Sequence, residues 1–382
     1  HRVDRRQRQM CIRDSDERDW FMKLDHKTLE TLPSFLVQAL KQAGKDRGIN
    51  QAILTLSRSL ITPFLQFCPD RELRKIAYVA WTKRGANAGD RNNVKLAHET
   101  LKLRAQMAKI LGFESYSHYK LDREMASSPE NVDELLTTVW GPAREAAIKD
   151  EVILNSLMLQ DGIGDTLRAW DWRFYAERRR HREYDLNEEN VKPYFQLDNL
   201  INATFKCASE LFGLEFSLLD VPLYHNDCRA WTVSRKGENI AVFIGDYFSR
   251  PSKRSGAWCS AMRSQAKFPK KQIPIVVNVC NFSKVDNSLL SFEDAKTLFH
   301  EFGHALHQIL SDVTYNIISG TSVARDFVEL PSQLFEHWLE VPEILEEFAT
   351  HCETGEKLPP KMLSSILAAS TFDMGFQTTE YL

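Results

Sequence analysis

No stretch of the 382-residue chain approaches the roughly 18–20 consecutive apolar residues of a membrane span, so no membrane partner is expected. Neither sign of charge is in excess. Lys and Arg number 49 against 52 Asp and Glu, a formal net charge of -3, which argues against a general affinity for nucleic acid or anionic lipid. Paired cysteines are missing too. Cys11, Cys68, Cys207, Cys228, Cys259, Cys280 and Cys352 are odd in number, scattered and never spaced CxxC. That pattern argues against a disulfide framework and a structural zinc–cysteine site, and it favours a reducing compartment; a cytoplasmic location is the expectation. There is no repeat of 20–50 residues and no low-complexity linker. What remains is an ordinary globular composition, 43% hydrophobic and 26% charged, long enough for a large core or for two lobes.

One stretch concentrates chemistry: Leu298-Phe299-His300-Glu301-Phe302-Gly303-His304. On a helix, His300 and His304 lie on one face a turn apart, where two imidazoles can share a metal ion. Glu301 stands beside them and can take a proton from an activated water. This is the HExxH arrangement of zinc hydrolases. The flanks support a helix. Ser291 suits an N-cap and Asp294, three residues on, completes a capping-box-like start. Ala295, Leu298, Phe302, Ala305 and Ile309 recur at helical spacing as one apolar stripe. At about 100° per residue, both histidines fall opposite that stripe. His307, about 10 Å further along the axis than His300, cannot easily share its metal and is expected to be structural or supporting. Gly303 is expected to permit close helix packing.

A catalytic zinc commonly takes three protein ligands and leaves one position open. Downstream come Ser319-Gly320-Thr321-Ser322, then Asp326-Phe327-Val328-Glu329-Leu330-Pro331-Ser332-Gln333 and Glu336-His337-Trp338. HEFGHALH followed by these segments resembles the thimet oligopeptidase family of zinc peptidases. The resemblance implies that His300, His304 and Glu329 hold one Zn2+ per chain and that Glu301 is the general base. It implies a mainly α, zincin-like helical peptidase with a small β-sheet beside the active-site helix and two lobes flanking a channel. Short peptides are the expected substrates, and a monomer is the expected state. The chain closes about fifty residues past Glu329, before the histidine and tyrosines that the family places around the reaction, so its C-terminal part is expected to be missing and Tyr381 takes no such role. Residues 1–16, polar and basic, are expected to be a non-native or disordered leader. Residues 17–382 are expected to form a metallopeptidase catalytic region truncated at both ends.

Within that region, residues 20–112 read as helices: one opened by Leu32-Pro33-Ser34-Phe35, one from Asn50 to about Phe67, one opened by Asp70, and one from Asn92 to Leu111 stopped by Gly112. Ser128-Pro129 opens another, which Gly141-Pro142 is expected to break. Arg178-Arg179-Arg180-His181-Arg182 reads as a solvated helix face. From about Asp220 the period changes to that of strands, with a hairpin turn at Lys236-Gly237-Glu238-Asn239. Pro274 suits an edge strand, so Val276 to Val279 is offered as a strand that pairs with extended substrate, against the alternative of a core strand. Asp326 is a candidate to orient a ligand imidazole, and His337 is expected to be packed. Internal cleavage of oligopeptides is the first functional expectation. The wording TSVARDFVELPSQ leans toward the subgroup that releases C-terminal dipeptides. A zinc-binding but catalytically incomplete fragment and a zinc-free helical scaffold are the remaining alternatives.

Overall fold

The computed structural model describes residues 19–382 except 88–91, 165, 185–187, 251–252, 255 and 283–287. The leader expected over residues 1–16, and Ser255 of the stretch before the sheet edge, lie outside the described residues. The described residues are mainly helical with a five-stranded sheet and a two-stranded ribbon, and they group into two compact units: residues 19–122, 127–184 and 371–382, and residues 123–126 and 188–370. No described helix is long and apolar enough to cross a membrane.

The first unit holds a two-stranded antiparallel ribbon, β1 (Phe21–Lys23) and β2 (Ile53–Thr55), with helices α1 (Ser34–Asp46), α2 (Arg58–Phe67), α3 (Arg71–Thr82), α4 (Val94–Ile110), α5 (Pro129–Gln160) and α6 (Ala169–Tyr184). The helix expected from Asn50 starts only at Arg58. Ile53, Leu54 and Thr55 are buried throughout, so no amphipathic period marks the strand they form. Gly141-Pro142 does not break α5. Gly141 has no Cβ to meet the proline ring, and small residues beyond it admit a close neighbour. A Cβ on Gly375 of the closing helix Met374–Tyr381 would lie 2.6 Å from Ala146 Cβ. That packing, with Trp172 stacked on Phe376 at 4.2 Å, opposes the cost of an interior proline. The basic run is solvated at Arg178, His181 and Arg182, while Arg179 and Arg180 are half-buried, and three of its arginines are paired. Arg178 pairs with Asp161, Arg179 with Asp150 and Glu183, and Arg180 with Glu177. Two of these acids sit on or just after α5, which a local charge count cannot see. Beneath them Asp171 is fully buried between Arg71 and Arg74, both at 2.9 Å.

The second unit carries α7 (Leu197–Phe212), five strands, α8 (Phe292–Ile309) and α9 (Leu330–Glu336). The strands are β3 (Leu214–Leu218), β4 (Arg229–Arg235), β5 (Glu238–Phe248), β6 (Trp258–Arg263) and β7 (Ile275–Phe282), in spatial order β3-β4-β5-β7-β6. Lys236 and Gly237 alone close the β4–β5 hairpin, both at positive φ (53° and 80°), the pair that a tight hairpin turn requires. β7 pairs parallel to β5 and antiparallel to β6. It is therefore interior, and the edge strand expected at Val276 to Val279 is instead β6. Pro274 misled because it precedes the strand, where its carbonyl still accepts from Val242 N at 3.0 Å. One sheet face presents Trp231, Val233, Ala241 and Phe243 toward α7 and α8; the other packs Ala230, Ile244, Val277 and Val279 together.

Asp246 near the end of β5 is 2% exposed. It accepts from Arg250 at 2.7 and 2.8 Å, Lys253 at 2.9 Å and the Tyr224 hydroxyl at 3.0 Å. Burial pushes its carboxyl up, but these donors outweigh burial and hold it at about 2. A depressed carboxyl pKa adds stability above its ordinary value of 3.8 and loses it as pH falls toward 2. Asp246→Asn should therefore lower stability at neutral pH by about 3–5 kcal/mol, since Lys253 stays buried without its partner. Its melting temperature should also fall less between pH 4 and pH 2 than the parent's. Parallel melting curves across that window would refute the assignment.

Candidate metal centre

The capping box expected at the head of α8 is formed: Asp294 N donates to Ser291 Oγ at 3.0 Å and Ser291 N to Asp294 Oδ2 at 3.3 Å. Ala295, Leu298, Phe302, Ala305 and Ile309 are all buried. Phe302 anchors the helix, with its ring centroid 5.3 Å from Phe243, 5.6 Å from Phe205 and 5.6 Å from Phe335. Burial of one such aromatic side chain contributes roughly 1.5–3 kcal/mol. Opposite this anchored face stand His300 and His304, ring centroids 4.9 Å apart.

Gly303 faces α9. A Cβ there would lie 2.7 Å from Ser332 Cα and 2.8 Å from Pro331 O, so only glycine lets the two backbones approach this closely. That approach brings Glu329, the N-cap of α9, to the histidines. Glu329 Oε2 lies 3.3 Å from His300 Nε2 and 3.0 Å from His304 Nε2. A tetrahedral ion with bonds of about 2.0–2.1 Å separates its ligand atoms by roughly 3.3 Å. The two imidazoles and one carboxylate therefore fit a single divalent ion, and their donor chemistry suits a borderline-soft metal.

Two contacts around this set were not expected. Glu336 Oε1 meets His300 Nδ1 at 2.6 Å, which presents Nε2 toward Glu329. Ser332 Oγ donates to Glu329 Oε2 at 3.1 Å and to its carbonyl at 2.8 Å. The signal was available: Glu336 follows Glu329 by seven residues, two helical turns on the same face. Burial works to lower the His300 pKa, but the bond to Glu336 and the surrounding carboxylates raise it. His304 is lowered, chiefly by burial. Glu301 is 5% exposed, and burial pushes its carboxyl up to about 7, with His300 pulling it down and Glu329 up.

Three other expectations change or sharpen. Asp326 does not orient an imidazole; its carboxylate accepts from Met125 N at 3.1 Å and Ala126 N at 2.9 Å. His337 is exposed rather than packed, because Phe335 and Leu339 on either side take the buried phase. His307 lies against the Phe327 ring at 6.2 Å, in keeping with a structural role.

Paired imidazoles one turn apart, a buried carboxyl between them and a carboxylate from the next helix define a candidate metallohydrolase centre. Peptidase family M3 matches residues 64–382, and the chain belongs to that family. It is 35% identical to the dipeptidyl carboxypeptidase of Salmonella typhimurium over 350 residues, covering 89% of this chain and 51% of that protein. It is 32% identical to oligopeptidase A of Escherichia coli over 360 residues, covering 91% of this chain and 53% of that protein. A probable cytosolic oligopeptidase A of Arabidopsis thaliana is 34% identical over 373 residues, 92% of this chain and 53% of that protein. The chain thus spans about half the length of these relatives.

Gly303→Ala should force α8 and α9 apart and destabilise the second unit by about 1–3 kcal/mol, as overpacking does. Guanidinium unfolding followed by tryptophan fluorescence measures it. An unchanged midpoint would show that the backbone contact carries no load.

Proposed function

We propose that this chain is the metal-binding part of a zinc-dependent peptidase that hydrolyses internal bonds of short oligopeptides. The observation that carries the reading is the convergence of His300 Nε2, His304 Nε2 and Glu329 Oε2. These three residues would hold the zinc, which when bound polarises the scissile carbonyl and makes hydroxide available near neutral pH. Glu301 takes the proton of the attacking water and passes it to the leaving amine. Its burial matters here: a carboxyl pushed to about 7 holds a proton weakly enough to give it up and strongly enough to take it, and a nearby dication would draw it lower. Glu336 keeps His300 in the tautomer whose Nε2 is a free electron pair. β6, beside α8 through the Gln308 Nε2 to Cys259 Sγ contact at 3.3 Å, supplies the outer main-chain edge for an extended peptide. Two lobes flanking a channel, as the family resemblance implies, belong to the same proposal.

A second reading is release of C-terminal dipeptides. The 35% identity to a dipeptidyl carboxypeptidase and the TSVARDFVELPSQ segment favour it. Cleavage of an internally quenched peptide, with product masses read out, separates the two: internal cuts support the first, successive loss of dipeptides the second. Zinc uptake without cleavage identifies a catalytically incomplete fragment.

A chelator should abolish cleavage. Glu301→Gln should keep its zinc and lose about 10²–10⁴-fold in kcat; full chelator-sensitive activity in that variant would remove Glu301 as base. Glu336→Ala should weaken zinc affinity by about 10–100-fold in competition with a chromophoric chelator, while His337→Ala leaves it unchanged. Equal affinities in the two variants would show that Glu336 does not orient His300.

A further inference from the structure

The chain leaves β5 at Phe248 and enters β6 at Trp258, and β7 lies between these two strands in the sheet. The described residues of the connection from β5 to β6 are tied down by side chains of β5 and β7. Arg250 puts both its terminal nitrogens on the Asp246 carboxylate. The Lys253 ammonium is 3% exposed and donates to Asp246 Oδ1 at 2.9 Å, Asp246 O at 2.8 Å and Phe248 O at 2.8 Å. Asn281 Nδ2 on β7 donates to Arg254 O at 2.7 Å and Gly256 O at 2.6 Å, and Ser249 N donates to Phe282 O at 3.0 Å.

A cavity of about 580 Å³ opens here, lined in part by Tyr224, Arg250, Lys253, Arg254 and Trp258. By charge alone its cations suggest an anion site. Yet all three donors of Lys253 are consumed by β5, and Arg250 is committed to the same carboxylate. The cluster is turned inward, toward the chain that leads into β6. That strand is paired on one side only, and an edge of six residues frays unless its ends are held.

We propose that Asp246 and Asn281 are positioning residues for peptide substrate, clamping Arg250, Lys253, Arg254 and Gly256 ahead of β6 so that the outer main-chain edge of β6 is preset to receive an extended peptide. The proposal rests on the peptidase reading above. Recognition through main-chain hydrogen bonds rewards an edge already held in place, because the cost of ordering it falls outside the binding step. The clamp and the metal ligands lie on opposite sides of the sheet's packing: Asp246 shares the face of Ile244 and Val279, whereas Phe243 of the other face meets α8. Loss of the clamp should therefore alter binding without altering the metal.

Asn281→Ala removes the two donated bonds without adding a charge, and the isosteric Asn281→Asp removes them and sets a carboxylate against the same two carbonyls. Asp246→Asn tests the other arm. Hydrogen exchange read by mass spectrometry should show about tenfold faster exchange over residues 258–263 in the Asn281 variants, with α8 unchanged, as expected for two lost hydrogen bonds, and a larger increase in Asp246→Asn. For a quenched peptide, KM should rise about tenfold while kcat and zinc content stay within twofold, a split that general destabilisation does not produce. Unchanged β6 exchange in both Asn281 variants overturns the clamp. Faster exchange with an unchanged KM overturns the substrate role. A parent chain that neither binds nor cleaves the peptide overturns the peptidase reading and this proposal with it, and the exchange data, which need no substrate, tell that failure from the first.

Discussion

The backbone contact at Gly303 governs the centre. Because α8 and α9 touch without an intervening side chain, the first turn of α9 delivers Glu329 to one nitrogen of His300 while its last residue delivers Glu336 to the other. A helix separation larger by the width of a methyl group would leave both carboxylates short of the ring. Phe302, next to Gly303, fixes the other side of α8 against the sheet through Phe243. One residue sets the distance to the next helix and its neighbour sets the distance to the sheet, so the imidazoles have little freedom left. The result is a dense negative set: Glu301, Glu329 and Glu336 surround two imidazoles. Like charges held so close are mutually costly unless a cation joins them. The bond to Glu336 and the neighbouring carboxylates raise the His300 pKa against its burial, and a dication held by this set, as proposed, would offset the repulsion among them.

Much of this was legible in the sequence, for identifiable reasons. The stripe from Ala295 to Ile309, the Ser291–Asp294 cap and the i, i+4 histidines are all local features, decided within one helix. Gly303 was legible because a glycine inside an amphipathic helix needs a reason, and close approach is the usual one. Glu329 was read only through the family resemblance; by pattern alone it is an acid at the head of a helix. The misreadings share a cause. Pro274 was taken for a mark of an edge strand, but strand order is a non-local property, and β6 comes to flank β7 only because the connection from β5 skips over it. The basic run at Arg178 to Arg182 is largely solvated as its pattern suggests, and only its pairing with Asp150 and Asp161, distant in sequence, is invisible to a local reading. Gly141-Pro142 looked like a break because the small residues that let the closing helix pack there lie elsewhere in the chain. Asp326, three residues before Glu329, is a candidate to orient an imidazole by position alone, whereas the structure sets Glu336, two turns along α9, against His300.

The sheet divides two tasks between its faces. The face bearing Phe243 holds α8 and so fixes the imidazoles. The face bearing Asp246 and Ile244 gathers Tyr224, Arg250 and Lys253 into a closed polar cluster. β6 answers to both: Cys259 accepts from Gln308 of α8, and the chain leading into Trp258 is held by Asn281 and, through Lys253, by Asp246. A peptide laid along that edge would thus be registered against the same helix that carries His300 and His304. Such coupling suits a site that must align a scissile bond by backbone alone, since main-chain pairing fixes position along the strand without reading side chains. It also bears on substrate range. An edge that supplies only N–H and C=O groups discriminates weakly between sequences, so on the proposed reading selectivity would come from length and end-group recognition. Those are the properties by which an endopeptidase and a dipeptide-releasing enzyme differ, and they depend on groups beyond the metal centre. On the proposed reading the centre would serve either chemistry, because a base, a ligand triad and an edge would together fix where a bond is cut relative to the backbone, and not how far that bond lies from a chain end.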